Sequence, residues 1–185
     1  VLRSTEAFET MDAEAAEIPA GSEGLLFLPY LAGERTPFQD PYAKGVFFGM
    51  SMKHGQAHMV RAVMEGVVFN LYECLKILDE LGIRREKLIS AGGGARGKAW
   101  KQIQADILDM PVYTTETREE ACMGAVILAA TGCGYYGSVQ EACDRCVKVC
   151  DVPVLPIPEN TARYSEQQKV FTELYQNVKG IYRKL

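Results

Sequence analysis

Between residues 56 and 81 the apolar positions Val60, Met64, Val67, Leu71, Leu75 and Leu78 recur at three- and four-residue steps. That period predicts one long helix, and Gly82 supplies its stop. So much of its surface is apolar that burial on more than one side is expected. Upstream, residues 4–17 read as a short helix with Ser4 or Thr5 as N-cap, broken by Pro19 and Gly21. Residues 25–31 form an apolar extended run that Pro29 confines to an edge or a strand end. Residues 32–45 are a loop rich in glycine, proline and charge, and 46–51 a second strand. Beyond Gly82 the pattern alternates. Strands are expected at 87–91 and 112–115. A helix at 98–109 carries Trp100, Ile103 and Ile107 on one face, and another at 119–130 has Glu119 and Glu120 at its positive end. Ser138 caps a helix running to Cys146. An irregular, proline-interrupted extended segment follows, and a last helix at 166–184 is amphipathic through Val170, Leu174, Val178 and Ile181. Strand and helix alternating with short links imply parallel crossovers, hence an α/β domain.

Composition narrows the function classes. The chain has 185 residues, 48% hydrophobic and 24% charged, with a formal net charge of -4. Size and balance fit one globular domain. The acidic balance, with no basic run interleaved with aromatics, argues against nucleic acid as partner. No apolar run reaches spanning length and no secretory signal opens the sequence, so no membrane role and a cytoplasmic location are expected. The sequence begins at Val1, which suggests a piece of a longer protein. Six cysteines in such a chain read as reduced thiols. Cys143, Cys146 and Cys150 lack a second pair or a nearby histidine to complete four ligands, so no metal site is expected and the simpler reading is small core residues.

The chemistry concentrates at "LISAGGGARGKAW", residues 88–100. A strand that ends in glycines and turns into a helix leaves backbone N–H groups at the helix N-terminus, where the dipole attracts anions and polar ligand edges. Glycines let a ligand approach with no Cβ in the way. Three readings compete. A dinucleotide fingerprint is satisfied literally by Gly92-Gly93-Gly94-Ala95-Arg96-Gly97, with Glu116 at about the spacing of a ribose-binding acid. This would make the chain part of an NAD-dependent oxidoreductase. A P-loop fails, because Gly97-Lys98 is followed by Ala99 with no hydroxyl. The third is the adenosine loop of the sugar-kinase, actin and Hsp70 group, an apolar strand followed by Gly-Gly-x-Ala. A tight turn with glycines needed only for packing, in a non-catalytic module, stays open beside them.

Upstream, "GVFFGMSMKHGQAHMVRAVME" (residues 45–65) resembles the second signature of the FGGY carbohydrate kinases. Gly45, Phe47, Gly49 and Met50 fit its strand part; His58, Met59, Ala62, Val63, Met64 and Glu65 fit its helix part. Residues 25–37, "LLFLPYLAGERTP", resemble the branch of that family that phosphorylates D-xylulose. "EEACMGAVILAA" is similar to the family's E-x-A-x-G-A-A helix. The resemblance implies an actin-like, ribonuclease-H-like fold of two domains around a cleft. Residues 1–185 would be the C-terminal, nucleotide-binding domain without its first strands. It implies transfer of the γ-phosphate of ATP to D-xylulose with Mg²⁺. The catalytic aspartate and most of the sugar pocket would lie in an N-terminal domain absent from this chain. Gly92, Gly93, Gly94 and Ala95 would let adenosine and the α-phosphate lie against the backbone, with Lys98 near the nucleotide. Gly124 would let its helix approach closely beside the adenine.

Other residues carry weaker signals. Arg35, in Glu34-Arg35-Thr36-Pro37, is a candidate substrate contact, or else a structural residue paired with Glu34 or Asp40. His54 and His58 are four apart but lack the accompanying acid of a zinc motif. Glu65 reads as a buried acid accepting backbone or arginine hydrogen bonds. Tyr135 and Tyr136 read as loop packing, and the last helix as a packing helix whose apolar face suits a homodimer.

Overall fold

The structure is a computed structural model and describes residues 5–117 and 119–185. Its elements are α1 (Thr5–Ala16), β1 (Leu26–Leu28), β2 (Val46–Phe48), α2 (Gln56–Glu80), β3 (Leu88–Ser90), α3 (Lys98–Leu108), β4 (Val112–Thr114), α4 (Glu120–Gly132), α5 (Val139–Cys146) and α6 (Pro158–Tyr182). The expected cap at Ser4 lies outside the described residues.

β1 and β2 pair antiparallel, with Leu26 opposite Phe48. β3 and β4 pair parallel around α3, with Leu88 opposite Val112, as the crossover reading requires. The proline-interrupted segment adds a third, antiparallel ribbon. Val112 and Val154 exchange both backbone hydrogen bonds, each 2.9 Å, and Cys150 donates to Thr114.

α3 is the centre of the core. Ile103 is fully buried, and Ile107 and Leu108 pack with Leu26, Leu28, Phe69 and Phe171. α2 lies directly on β1, because a Cβ at Gly66 would sit 2.1 Å from the Phe27 carbonyl oxygen. Which face of α2 is buried differs from the apolar stripe. Arg61, Ala62, Glu65, Gly66, Val68, Phe69 and Glu73 are buried, whereas Val63 and Val67 are exposed. Burial on more than one side does hold, since α2 packs on α1, β1, α3 and α6.

α6 begins two turns earlier than its apolar pattern suggests. Pro158 stands at its first turn, and the fully buried Asp106 of α3 accepts from Ile157 N at 2.7 Å and Asn160 Nδ2 at 2.8 Å. The buried face is Tyr164, Gln168, Phe171, Leu174, Tyr175 and Tyr182, while Val170 and Ile181 are about half exposed. Large aromatics bury more surface than the aliphatic set and decide the helix's rotation.

Candidate functional site

The glycine turn is built as the sequence implies. β3 ends at Ser90, Gly92 takes φ 81° and ψ -168°, and Gly93–Arg96 form a 3-10 turn before α3. That Gly92 conformation is open essentially to glycine alone. Gly92, Gly93 and Gly94 are exposed and Ala95 is buried beneath them. The three glycines differ in what they face. Added Cβ atoms at Gly92 and Gly93 would meet nothing within 4 Å, but one at Gly94 would lie 2.9 Å from Trp100 Nε1. Gly94 therefore has a packing reason to be glycine. Gly93 has neither a positive φ nor a neighbour to explain it.

The first turn of α3 departs from expectation. Its amides are not free: Lys98 N, Ala99 N and Trp100 N donate to the Asp12 carboxylate at 2.8, 3.2 and 3.3 Å. Lys98 is exposed and forms no ion pair among the described residues. With Glu17, Gln102 and Asn160 it lines an open hollow of about 480 Å³.

A second carboxylate stands at the other end of the turn. Glu120 Oε1 accepts from Gly92 N at 3.2 Å and from Thr115 Oγ1 at 3.3 Å. Its own amide and that of Gly92 hold the Glu120 carboxyl below the usual carboxylate range. Glu116, the acid expected for a ribose in a dinucleotide site, is exposed, and its amide is tied to Lys148 O. The acid at the glycines is thus not the one the dinucleotide spacing selects. At Gly124, too, no described atom lies within 4 Å of an added Cβ, so no neighbour within the chain requires its smallness.

The Arg35 loop is firmly held, but not through Arg35. Glu34 accepts from Thr36 N at 2.6 Å and Asn70 Nδ2 at 3.3 Å. Phe38 stacks on Tyr175 at 4.1 Å, and Tyr175 donates to Asp40. Burial, then the Asp40 carboxylate, pushes the Tyr175 hydroxyl up to about 12. Arg35 pairs with neither Glu34 nor Asp40. It is exposed beside a hollow of about 430 Å³ that it lines with Gly33, Glu34 and Gln39.

Glu65 is a buried acceptor, as read. It takes bonds from Gly21 N (2.9 Å), Ser22 Oγ (2.8 Å), Arg61 Nε (2.8 Å) and Tyr164 Oη (2.6 Å). Arg61 continues the network to Ala15 O. His54 and His58 cap locally, accepting from Ser51 N and Gly55 N. Cys143, Cys146 and Cys150 are partly exposed, so they are not core residues. Among the described residues no group of three or more His, Cys, Asp or Glu converges to hold a metal, and no helix is long and apolar enough to cross a membrane.

The profile of the FGGY family of carbohydrate kinases, C-terminal domain, matches residues 2–133, a span that contains the glycine turn and α2 to α4. This chain belongs to the FGGY family. It is 38% identical over 176 residues to a xylulose kinase of Staphylococcus epidermidis, covering 95% of this chain and 35% of that protein. A ligand-bound xylulose kinase from Lactobacillus acidophilus superimposes with a TM-score of 0.82 at 30% identity, over 94% of this chain and 35% of that one. A gluconate kinase from Lactobacillus acidophilus gives 0.83 at 29%, over 99% and 37%. The fold is the actin-like ATPase fold of these kinases, and the dinucleotide reading is set aside. The chain spans about a third of the length of the relatives it matches.

The FGGY signature has a physical reading in this fold. Gly49 takes φ 83° where a Cβ would strike the Gly24 carbonyl at 2.7 Å, and Glu65 anchors the preceding turn. Sequence reasoning missed Asp12 at the turn. Nothing local marks a cap that arrives from another helix.

Proposed function

We propose that residues 1–185 are the nucleotide-holding C-terminal domain of an ATP-dependent sugar kinase that phosphorylates D-xylulose. The observation that carries the nucleotide role is Gly93, a glycine with ordinary backbone and open space, exposed at the mouth of the turn. A nucleotide lying on the turn gives that position a reason to lack a side chain. In this reading the nucleotide lies on Gly92, Gly93 and Gly94 over Ala95, with Lys98 at the edge of the site. Arg35, exposed and unpaired on a braced loop, reaches toward sugar or phosphate across the cleft. A further, N-terminal domain supplies the catalytic base and most of the sugar pocket, and the protein works in the cytoplasm.

Phosphoryl transfer needs positioning, charge neutralisation and a base for the hydroxyl proton. This chain's residues contribute positioning. They hold the peptide turn in one shape through Gly92, Asp12 and Glu120, and they leave its face bare. Mg²⁺ neutralises phosphate charge when bound with ATP, but the described residues offer no ligand cluster for it, so no step is assigned to it.

D-xylulose is favoured by the xylulose kinase of Staphylococcus epidermidis; gluconate is the second reading, favoured by the gluconate kinase of Lactobacillus acidophilus. A coupled assay of ADP release by the complete protein, with D-xylulose and gluconate compared at equal concentration, tests the sugar. The expected result is turnover with D-xylulose at the higher kcat/KM. Preference for gluconate moves the assignment to the second reading, and ATP-independent NADH binding overturns the kinase itself.

A further inference from the structure

The glycine turn is flanked by two carboxylates placed where a phosphate would be expected. A helix N-terminus with free amides is a ready seat for an anion. In α3 that seat is taken. Asp12 Oδ2 holds Lys98 N and Ala99 N, and Oδ1 holds Trp100 N, across 86 to 88 residues of sequence. The fit at Gly97 is tight, since a Cβ there would lie 2.3 Å from Asp12 Oδ1 and 2.9 Å from its Cγ. Gly97 is thus explained by the carboxylate, not by a ligand. At the other end Gly92 N is held by Glu120, which also accepts from Thr115. What remains open between the two acids is the uncharged peptide at Gly93.

We infer that Asp12 is a positioning residue of the nucleotide site: it occupies the first-turn amides of α3, closes them to phosphate, and so forbids an off-line register of the nucleotide. The inference rests on the proposed nucleotide role of the turn. A nucleotide meeting this surface has one way to lie. Its nucleoside and α-phosphate rest on the bare peptide; the remaining phosphates are kept off the α3 amides by the Asp12 carboxylate and directed away from α3. Without the Asp12 charge, a phosphate settles on the α3 amides and the γ-phosphoryl group points away from the acceptor sugar. Such a complex is bound but idle.

Non-productive binding has a kinetic signature that a merely structural cap does not share. It lowers kcat and KM together and leaves kcat/KM unchanged. A loosened turn raises KM instead.

The test uses the complete protein with ATP varied at saturating sugar. Asp12→Asn removes the charge and one of the two acceptor oxygens, so that part of the first turn is left without its partner; Asp12→Ala opens the helix end entirely. In Asp12→Asn, kcat and KM for ATP are expected to fall together by roughly three- to tenfold, the scale of one screened charge. Inorganic sulfate is expected to compete with ATP in Asp12→Ala. In the parent protein it should act no more than chloride of equal ionic strength. A raised KM at unchanged kcat, or parent-like kinetics in Asp12→Asn, overturns the inference and leaves Asp12 a helix cap. Thermal melting identifies a variant that fails to fold; Asp12→Asn, the milder change, then decides alone. Should the parent protein itself neither bind nor turn over ATP, the nucleotide role of the turn is lost. If the parent is active and the variants match it, only the role of Asp12 is lost.

Discussion

Glu65 and Arg61 form a buried ion pair in which every side-chain nitrogen and oxygen has a partner, the others being Gly21, Ser22, Tyr164 and Ala15. Burial is the largest influence on Tyr164 and pushes its hydroxyl up; on Arg61 burial pushes down, but Tyr164 and Glu65 outweigh it and the guanidinium stays charged. Removing one partner strands the other. Arg61→Ala is expected to cost about 3–5 kcal/mol of unfolding free energy, read by denaturant titration. Glu73 offers a pH-dependent counterpart. Burial pushes its carboxyl up, but bonds from Lys76, Thr172 and Gln168 offset that and hold it below its ordinary 4.5. A folded pKa below the unfolded one adds stability at neutral pH, which is lost as pH falls through the folded value. Thermal melts from about pH 6 to about pH 3 should therefore drop more steeply for the parent than for Glu73→Gln. Parallel curves would remove Glu73 from the acid sensitivity.

Helix α2 meets β1 at Gly66, where the Phe27 carbonyl leaves no room for a methyl group. Both partners in that contact are backbone-dominated and cannot swing aside. Gly66→Ala should destabilise by about 1–3 kcal/mol or more, despite alanine's better helix propensity, and an unchanged melting point would contradict the close packing. The elements themselves were legible because their periods and stops are local: Gly82 ends α2, Ser138 caps α5 through the Glu141 amide, and β3, α3 and β4 alternate as the pattern states. What was not legible arrives from a distance. Asp12 caps α3 from α1, and Asp106 seats the start of α6 from α3. Neither bond leaves a mark within one window of sequence. The buried face of α2 was misread for a related reason. Arg61 and Glu73 look like solvent-facing charges until their partners on other elements are known. In the site, Gly92 to Ala95 stood out as a turn, but only the packing separates Gly93, which faces space, from Gly94, which faces Trp100.

At the scale of the molecule, α4 is apolar nearly all round, yet only Ile127 is buried and Val126 and Leu128 are 58% and 64% exposed. A helix of that composition is expected to be covered. Relatives about three times as long supply a source for the cover under the proposed function. The 185-residue chain by itself is expected to give no ATP-dependent phosphorylation of D-xylulose in a coupled assay, because positioning alone does not move a phosphoryl group. Turnover by this chain would contradict the division of labour between domains. The central claim is that the peptide at Gly93 is bare for a nucleotide, and calorimetric titration of ADP into the Gly93→Val variant of the complete protein tests it most directly. The account expects a dissociation constant raised at least about tenfold with the melting temperature of the unliganded protein preserved. Unchanged ADP affinity in a folded variant would contradict it.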